Sequence, residues 1–88
     1  MSELTRGAVL LKLQDVVRQV LNEDSIVLRD TTTAADIAGW DSLKNVQIML
    51  GCEKQLGIRL RARDINALEN VGQMVDHLLA AVGKAKRT

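Results

Sequence analysis

Apolar residues recur at helical spacing near the start of the chain and then lose that spacing. Within residues 4–21 the polar side chains alternate with an apolar stripe, which predicts an amphipathic helix with Leu10, Leu13, Val17, Val20 and Leu21 on one side. Residues 22–41 carry turn-formers and threonines without a sustained period, so they are predicted to form a long ordered loop. Three scattered apolar positions are expected to anchor that loop: Ile26, Leu28 and Ile37.

Helical spacing returns after the loop and predicts a second helix over residues 42–56. Gly57 stands where a glycine commonly follows a helix C-terminus. Gly51, inside the helix, costs about 1 kcal/mol of helix propensity relative to alanine, so we expect a neighbouring helix to approach closely there. The apolar residues of this helix are predicted to face inward: Leu43, Val46, Met49, Leu50 and Leu56.

The last third of the chain predicts two more helices. One is short, over residues 62–66, and the other covers residues 71–82 with Asn70 as its N-cap. The small, basic residues 83–88 are expected to fray. The last helix should bury one stripe, made of Val71, Met74, Val75, Leu78, Leu79 and Val82.

Together these elements predict one all-α domain, a small four-helix bundle of three longer helices and one short helix, with a long loop between helices 1 and 2. A chain of 88 residues is enough for one domain and too short for two. Proline, phenylalanine and tyrosine are absent, which favours helices packed on helices over a sheet sandwich. Residues 4–82 should fold around one core that includes Leu13, Val17, Val46, Leu50, Val75 and Leu79.

Charge and cysteine content exclude several function classes. A formal net charge of +1 argues against a nucleic-acid binder and against a membrane-surface protein. The single cysteine, Cys52, excludes an internal disulfide and cannot by itself make a structural zinc site. No run approaches the roughly 20 apolar residues of a membrane span, and the N-terminus lacks the uninterrupted apolar core of a signal peptide. We therefore expect a cytoplasmic protein without membrane insertion.

Ser42 lies where the second helix begins, and two interpretations fit that position. In the first, Ser42 or Asp41 caps the helix, which is the most common reason for a serine there. In the second, the hydroxyl is exposed and carries a phosphate, because the unpaired N–H groups and the macrodipole at a helix N-terminus stabilise one. A serine that bears a phosphodiester would suit this position.

The residues around Ser42 resemble a known family. The tripeptide DSL at positions 41–43, followed on one helix by Val46, Ile48, Leu50 and Glu53, is similar to the attachment region of acyl carrier proteins, which bear 4′-phosphopantetheine on that serine. The resemblance is specific over residues 39–57 and looser over residues 4–82. A chance DSL is not rare in a chain of this length, so the agreement of the flanking helices and loop carries the resemblance.

That resemblance implies a carrier protein with no catalytic residues of its own. A phosphopantetheinyl transferase would use the Ser42 hydroxyl to attack coenzyme A, which leaves a flexible arm that ends in a thiol. Asp41 would cap the helix and orient the transferase, and Leu43 would lie at the docking surface. Acyl intermediates held as thioesters would reach each acyl-loading or acyl-transfer enzyme at a raised effective concentration. We expect a monomer and, since almost no linker flanks the domain, a discrete carrier.

The second helix departs from the family pattern in its charge. Carriers of fatty acid synthesis usually have a strongly acidic second helix, whereas residues 42–57 carry Lys44, Glu53 and Lys54, a net +1. Gln47 holds a position that is commonly acidic. This surface favours a specialised acyl, polyketide or aminoacyl pathway over housekeeping fatty acid synthesis. Docking is predicted to involve Trp40, Leu43, Lys44, Gln47, Ile48, Lys54, Arg59, Arg61 and Arg63.

Several residues keep a second interpretation. Trp40 is either a plug for the loop or part of the docking surface. Cys52 is predicted to be a small buried apolar residue, and His77, without a second metal ligand at the right spacing, is predicted to lie at the surface. Two other functions stay open: an unmodified helical interaction domain in which Ser42 is only a cap, and a small helix-turn-helix-like DNA binder that uses the arginines.

Overall fold

Four α-helices form the fold of residues 5–85, the part of the chain that the computed structural model describes. They are α1 (Arg6–Leu21), α2 (Ser42–Leu56), α3 (Ala62–Asn66) and α4 (Val71–Ala85), and a short 3-10 turn, Ala34–Asp36, interrupts the long loop. The all-α prediction, with three longer helices and one short one, is confirmed. α1 packs against both α2 and α4.

The helix ends follow from local capping. Thr5 Oγ1 accepts a hydrogen bond from the Ala8 amide at 3.1 Å, which starts α1. Asn22 ends it in the left-handed region, with φ 53°. Gly57 ends α2 in the same region, with φ 65°, as predicted. The predicted start of helix 1 at residue 4 lies outside the described residues.

α4 is longer than its apolar stripe predicted. Asn70 Oδ1 accepts a hydrogen bond from the Gln73 amide at 2.8 Å, so the predicted N-cap is confirmed. Residues 83–85, expected to fray, continue the helix to Ala85. Alanine and lysine have good helix propensity, and the adjacent Val82 is buried, which together offset the cost of Gly83. The rest of the expected fraying falls on residues 86–88, outside the described residues.

The core is built mainly from α1 and α4. The predicted stripe of α4 is confirmed, since its members are buried except for Leu79, which is partly buried against the core. Gly51 of α2 faces α1 so closely that a β-carbon there would lie 2.6 Å from Val16 Cγ1. The predicted close approach at Gly51 is therefore confirmed. The buried residues of α1 are Val9, Leu13, Val16 and Val17.

The predicted inward face of α2 is largely wrong. Leu43, Val46 and Leu50 are 65%, 44% and 52% exposed, so Val46 and Leu50 do not belong to the core. α2 buries Ile48 and Cys52 instead. Apolar residues occur on more than one side of this helix. Their spacing alone therefore allows either of two sides to face the core. Gly51 shares a face with Ile48 and Cys52, and its close contact with α1 turns that face inward.

The long loop is held to α1 by side-chain hydrogen bonds. Gln14 Oε1 accepts from the Leu28 amide at 3.0 Å, and Arg18 Nε donates to the Ile26 carbonyl at 2.7 Å. Both Ile26 and Leu28 are buried, and Ile37 is half-buried, so the predicted anchors are confirmed.

The later part of the loop is held to the start of α4. The amides of Val71 and Gly72 donate to the carbonyls of Thr32 and Asp30 at 2.8 and 2.9 Å. Arg6 joins the two segments, because its guanidinium bonds Asp76 at 2.7 Å and Asp30 at 2.8 Å. These contacts bring the loop that precedes α2 against α4.

Candidate functional site

Ser42 is the first residue of α2, and its side chain is exposed. The N-cap is Asp41, whose Oδ1 accepts a hydrogen bond from the Lys44 amide at 2.9 Å. The predicted capping role of Asp41 is confirmed. Because Asp41 caps the helix, the cap interpretation of Ser42 loses its support.

Trp40 closes the loop immediately before the site. Its side chain is 7% exposed, and its indole Nε1 donates to Asn45 Oδ1 at 3.1 Å. Gly39, with φ 88°, provides the left-handed turn that leads into it. The structure therefore favours the plug interpretation and corrects the prediction that Trp40 takes part in docking.

A cleft of about 290 Å³ lies beside Ser42, between the start of α2, the long loop and α4. Trp40, Ile65 and Met74 contribute apolar surface, and Asn45 contributes an amide. The predicted site residues did not include Asn45, which positions the tryptophan. The signal for it was an asparagine inside a helix, where its propensity is poor. Ser42 is therefore one of the residues that line a mixed polar and apolar cleft.

The start of α2 has the donors that a phosphate needs. The amides of Ser42 and Leu43 are at the first two helical positions, where an α-helix offers them no partner of its own. The positive end of the helix macrodipole adds to their attraction for an anion. A phosphodiester on the exposed Ser42 oxygen fits these surroundings.

Residues 11–78 match the family described as "Phosphopantetheine attachment site". The chain belongs to this family. A solution NMR structure of a holo acyl carrier protein from Geobacter metallireducens is also similar, at 32% sequence identity and a TM-score of 0.82, with 90% of this chain and 91% of that chain covered. The resemblance to acyl carrier proteins is confirmed, and with it an acyl carrier function that depends on covalently attached phosphopantetheine.

The residues predicted to dock partners fall into two groups on this carrier. Leu43 and Gln47 are exposed and Lys44 is half-buried, all near Ser42. The second group is exposed at or beyond the other end of α2 and consists of Lys54, Arg59, Arg61 and Arg63. The predicted docking role of Ile48 is wrong, because its side chain is 0% exposed.

Cys52 and His77 are the two other side chains that the sequence marked for possible reactivity. Cys52 is buried as predicted, and desolvation raises the pKa of its thiol from 9.0 to about 12, which keeps it protonated at neutral pH. His77 is half-buried, so the predicted surface position holds for part of its side chain. Among residues 5–85, no cluster of three or more histidine, cysteine or acidic side chains could hold a metal ion. None of the helices within residues 5–85 combines the length and the apolar character that a membrane span requires.

Proposed function

We propose that Ser42 bears 4′-phosphopantetheine and that the chain moves acyl intermediates between partner enzymes without catalytic residues of its own. The observation that carries this proposal is the exposed Ser42 hydroxyl at the first position of α2, where Asp41 does the capping. When attached, the cofactor supplies a terminal thiol that holds acyl groups as thioesters. A phosphopantetheinyl transferase attaches the group from coenzyme A: the Ser42 oxygen, on losing its proton, forms a phosphodiester as the pyrophosphate bond of coenzyme A breaks, and adenosine 3′,5′-bisphosphate leaves.

The chain's own residues present the hydroxyl to that transferase. Asp41 fixes the start of the helix, and the buried Trp40 supports the loop behind it. Leu43, which is 65% exposed and adjacent to Ser42, offers apolar contact to the transferase. Together they present Ser42 on a rigid element with one apolar neighbour.

An exposed apolar stripe on α2 supports docking of acyl-handling enzymes along this helix. We define the α2 stripe as Leu43, Val46 and Leu50, which share one side of the helix at spacings of three and four. Exposed apolar side chains that run beside a modified residue fit an interface better than they fit solvent. Partner enzymes are therefore proposed to bring apolar surface to the α2 stripe.

The charges around the α2 stripe support a specialised acyl, polyketide or aminoacyl pathway. Lys44 and Lys54 outnumber Glu53 on α2, and the Glu53 carboxylate accepts a hydrogen bond from the Leu60 amide at 2.7 Å. Such a face does not attract the basic patches that recognise acidic carriers. Mass analysis of the arm, on carrier purified from its native host, would identify the cargo.

We propose that the carrier works as a monomer in the cytoplasm. The single free cysteine fits a reducing compartment. The apolar stripes of α1 and α4 are buried within one chain, so neither needs a second copy to cover it.

The test of the proposed site is the intact mass of the carrier after incubation with coenzyme A and a phosphopantetheinyl transferase. The parent should gain one phosphopantetheinyl group, and Ser42→Ala should gain none. Ser25→Ala is the matched control, because Ser25 is also exposed but lies in the loop after α1. Helicity of Ser42→Ala should equal that of the parent, since Asp41 remains as the cap. A full mass gain in Ser42→Ala would remove Ser42 from its role.

A further inference from the structure

A second groove lies at the end of the bundle away from Ser42. This end groove has a volume of about 1040 Å³ and separates the segment after α2 from the last turns of α4. Its lining includes apolar side chains, the imidazole of His77 and three cations; the apolar residues are Ile58, Leu60, Ala80 and Ala81, and the cations are Arg59, Arg61 and Lys84. It therefore combines apolar contact area with positive charge.

The positive charges of the end groove are available to an outside partner. Arg59, Arg61 and Lys84 are exposed, and within residues 5–85 none of them forms an ion pair. The two carboxylates that line the groove have contacts of their own. Glu53 Oε2 accepts from the Leu60 amide at 2.7 Å, and Asp64 lies 3.8 Å from Arg63 Nε, which is outside the groove lining.

The end groove is remote from the modification site. Ser42 begins α2 and Leu56 ends it, and a helix of 15 residues extends about 22 Å. A ligand of the end groove therefore has no direct contact with Ser42. The groove gives the carrier a second contact region, distinct from the α2 stripe.

Building on the partner docking of the proposed function, we propose that the end groove binds an acidic segment of a partner protein. Apolar side chains of that segment lie on Leu60, Ala80 and Ala81. Its carboxylates pair with Arg59, Arg61 and Lys84. Ion pairs at a groove rim act on association rate and on the choice of partner, so this contact selects enzymes that carry acidic surface.

The chemistry of the groove favours an acidic protein segment over a nucleic acid. Glu53 and Asp64 lie among the cations and repel a continuous phosphate backbone. The groove lining contains no tryptophan, tyrosine or phenylalanine on which a base could stack, and its one ring, the imidazole of His77, is half-buried. Carboxylates spaced along a peptide can meet the cations and avoid the two acidic side chains.

Fluorescence polarisation of a labelled peptide tests this proposal. The probe is a fluorescein-labelled peptide of glutamate and leucine, and its control has glutamine in place of every glutamate. Arg59→Gln with Arg61→Gln removes two charges from the groove. Lys12→Gln with Arg29→Gln removes two charges from α1 and the long loop, outside the groove lining, and is the matched control. Thermal unfolding checks that each variant is folded.

At low salt the parent should bind the acidic peptide, and the Arg59→Gln, Arg61→Gln variant should bind it about tenfold more weakly or worse. The control variant should change affinity by less than about twofold, and the glutamine peptide should bind weakly to every form. Ser42→Ala should bind the acidic peptide as tightly as the parent does. Peptide binding by the end groove is thereby tested independently of whether Ser42 is the attachment residue. Equal losses in the two double variants, no binding by the parent, or tighter binding of a labelled DNA duplex would each overturn the proposal.

Discussion

α2 and α4 have the same length of 15 residues but use their apolar side chains differently. α4 buries its stripe, including Val71, Val75 and Leu78, each 1% exposed or less. α2 buries Ile48 and Cys52 and leaves the α2 stripe in solvent. The spacing of apolar residues therefore identifies a helix in both cases. It identifies the side that faces the core only when the apolar residues occupy a single side of the helix, as they do in α4.

The difference between the two helices corresponds to a difference in what covers them. α4 is covered by α1 and by the long loop, whose Thr32 and Asp30 carbonyls accept hydrogen bonds from its first amides. α2 is covered by α1 on one side and begins at the proposed attachment residue, Ser42. A carrier must bring that residue to several enzymes in turn. The α2 stripe is therefore interpreted as surface that successive partners cover for a short time.

Truncation of one leucine on each helix is the strongest test of this contrast. Leu78→Ala should lower the free energy of unfolding by roughly 2–5 kcal/mol, because the side chain is fully buried and leaves a cavity. Leu50→Ala makes the same chemical change on a side chain that is 52% exposed, so it should change stability by about 0.5 kcal/mol or less. Urea denaturation followed by circular dichroism measures both.

A large loss in Leu50→Ala would mean that the α2 stripe belongs to the core after all. A small loss in Leu78→Ala would contradict the burial of α4. Either result breaks the contrast between the two helices.

A pair of glycine substitutions gives a smaller effect with opposite signs. Gly51→Ala places a β-carbon 2.6 Å from Val16 Cγ1, and Val16 is a short buried side chain that cannot swing away. Overpacking of about 1–3 kcal/mol should exceed the gain of about 1 kcal/mol in helix propensity. Gly83→Ala on α4 has open space around it, so it should stabilise the protein by up to about 1 kcal/mol.

The shift in melting temperature gives the sign for each glycine variant. If the contact with α1 orients α2, Gly51→Ala should cost less when Val16→Ala is also present. If Gly51→Ala stabilised the parent, that result would contradict the close approach of α1 to Gly51. It would also contradict the explanation of why Ile48 and Cys52 face the core.

The smallest effect concerns the charges beside the α2 stripe. Lys44→Glu with Lys54→Glu should raise the initial acylation rate by a fatty-acid-synthesis acyltransferase that prefers acidic carriers, by about twofold to tenfold at low salt. The gain should fade as salt is raised, because ions screen exposed charges. Lys12→Glu with Arg29→Glu makes the same charge change outside α2 and is the matched control.

Holo forms of all three proteins should be compared at low and high ionic strength. Equal rates for the parent and the Lys44→Glu, Lys54→Glu variant at low salt would contradict partner selection by this face. An equal gain in the control would show an effect of net charge alone.

Much of the fold was predictable because local signals agree with the packing. Asn70 is a good N-cap, Gly57 is a good C-cap, and the stripe of α4 has one dominant face, so these elements were predicted correctly. The capping role of Asp41 was likewise recognisable, because capping depends on residues adjacent in sequence, whereas attachment at Ser42 stays a prediction.

Other features depend on contacts between distant parts of the chain, which the spacing of apolar residues does not reveal. The close contact between Val16 and Gly51 determines which side of α2 faces the core. The sequence predicted a close approach at Gly51, but it did not predict that Val16 makes the contact. The burial of Trp40 depends on a hydrogen bond to Asn45 and on packing within the hydrophobic core. The end groove joins Arg59 and Arg61 to Lys84 across two separate segments, which local sequence patterns cannot show.

The most direct test of Ser42 as the attachment residue is to map the modification in the unmutated carrier. After reaction with coenzyme A and a phosphopantetheinyl transferase, trypsin should release the three serines in separate peptides, residues 1–6, 19–29 and 30–44. Tandem mass spectrometry should find the phosphopantetheinyl group in the peptide of residues 30–44, and fragmentation should place it on Ser42. A modified peptide of residues 1–6 or 19–29, or a group on Thr31, Thr32 or Thr33, would contradict the assignment.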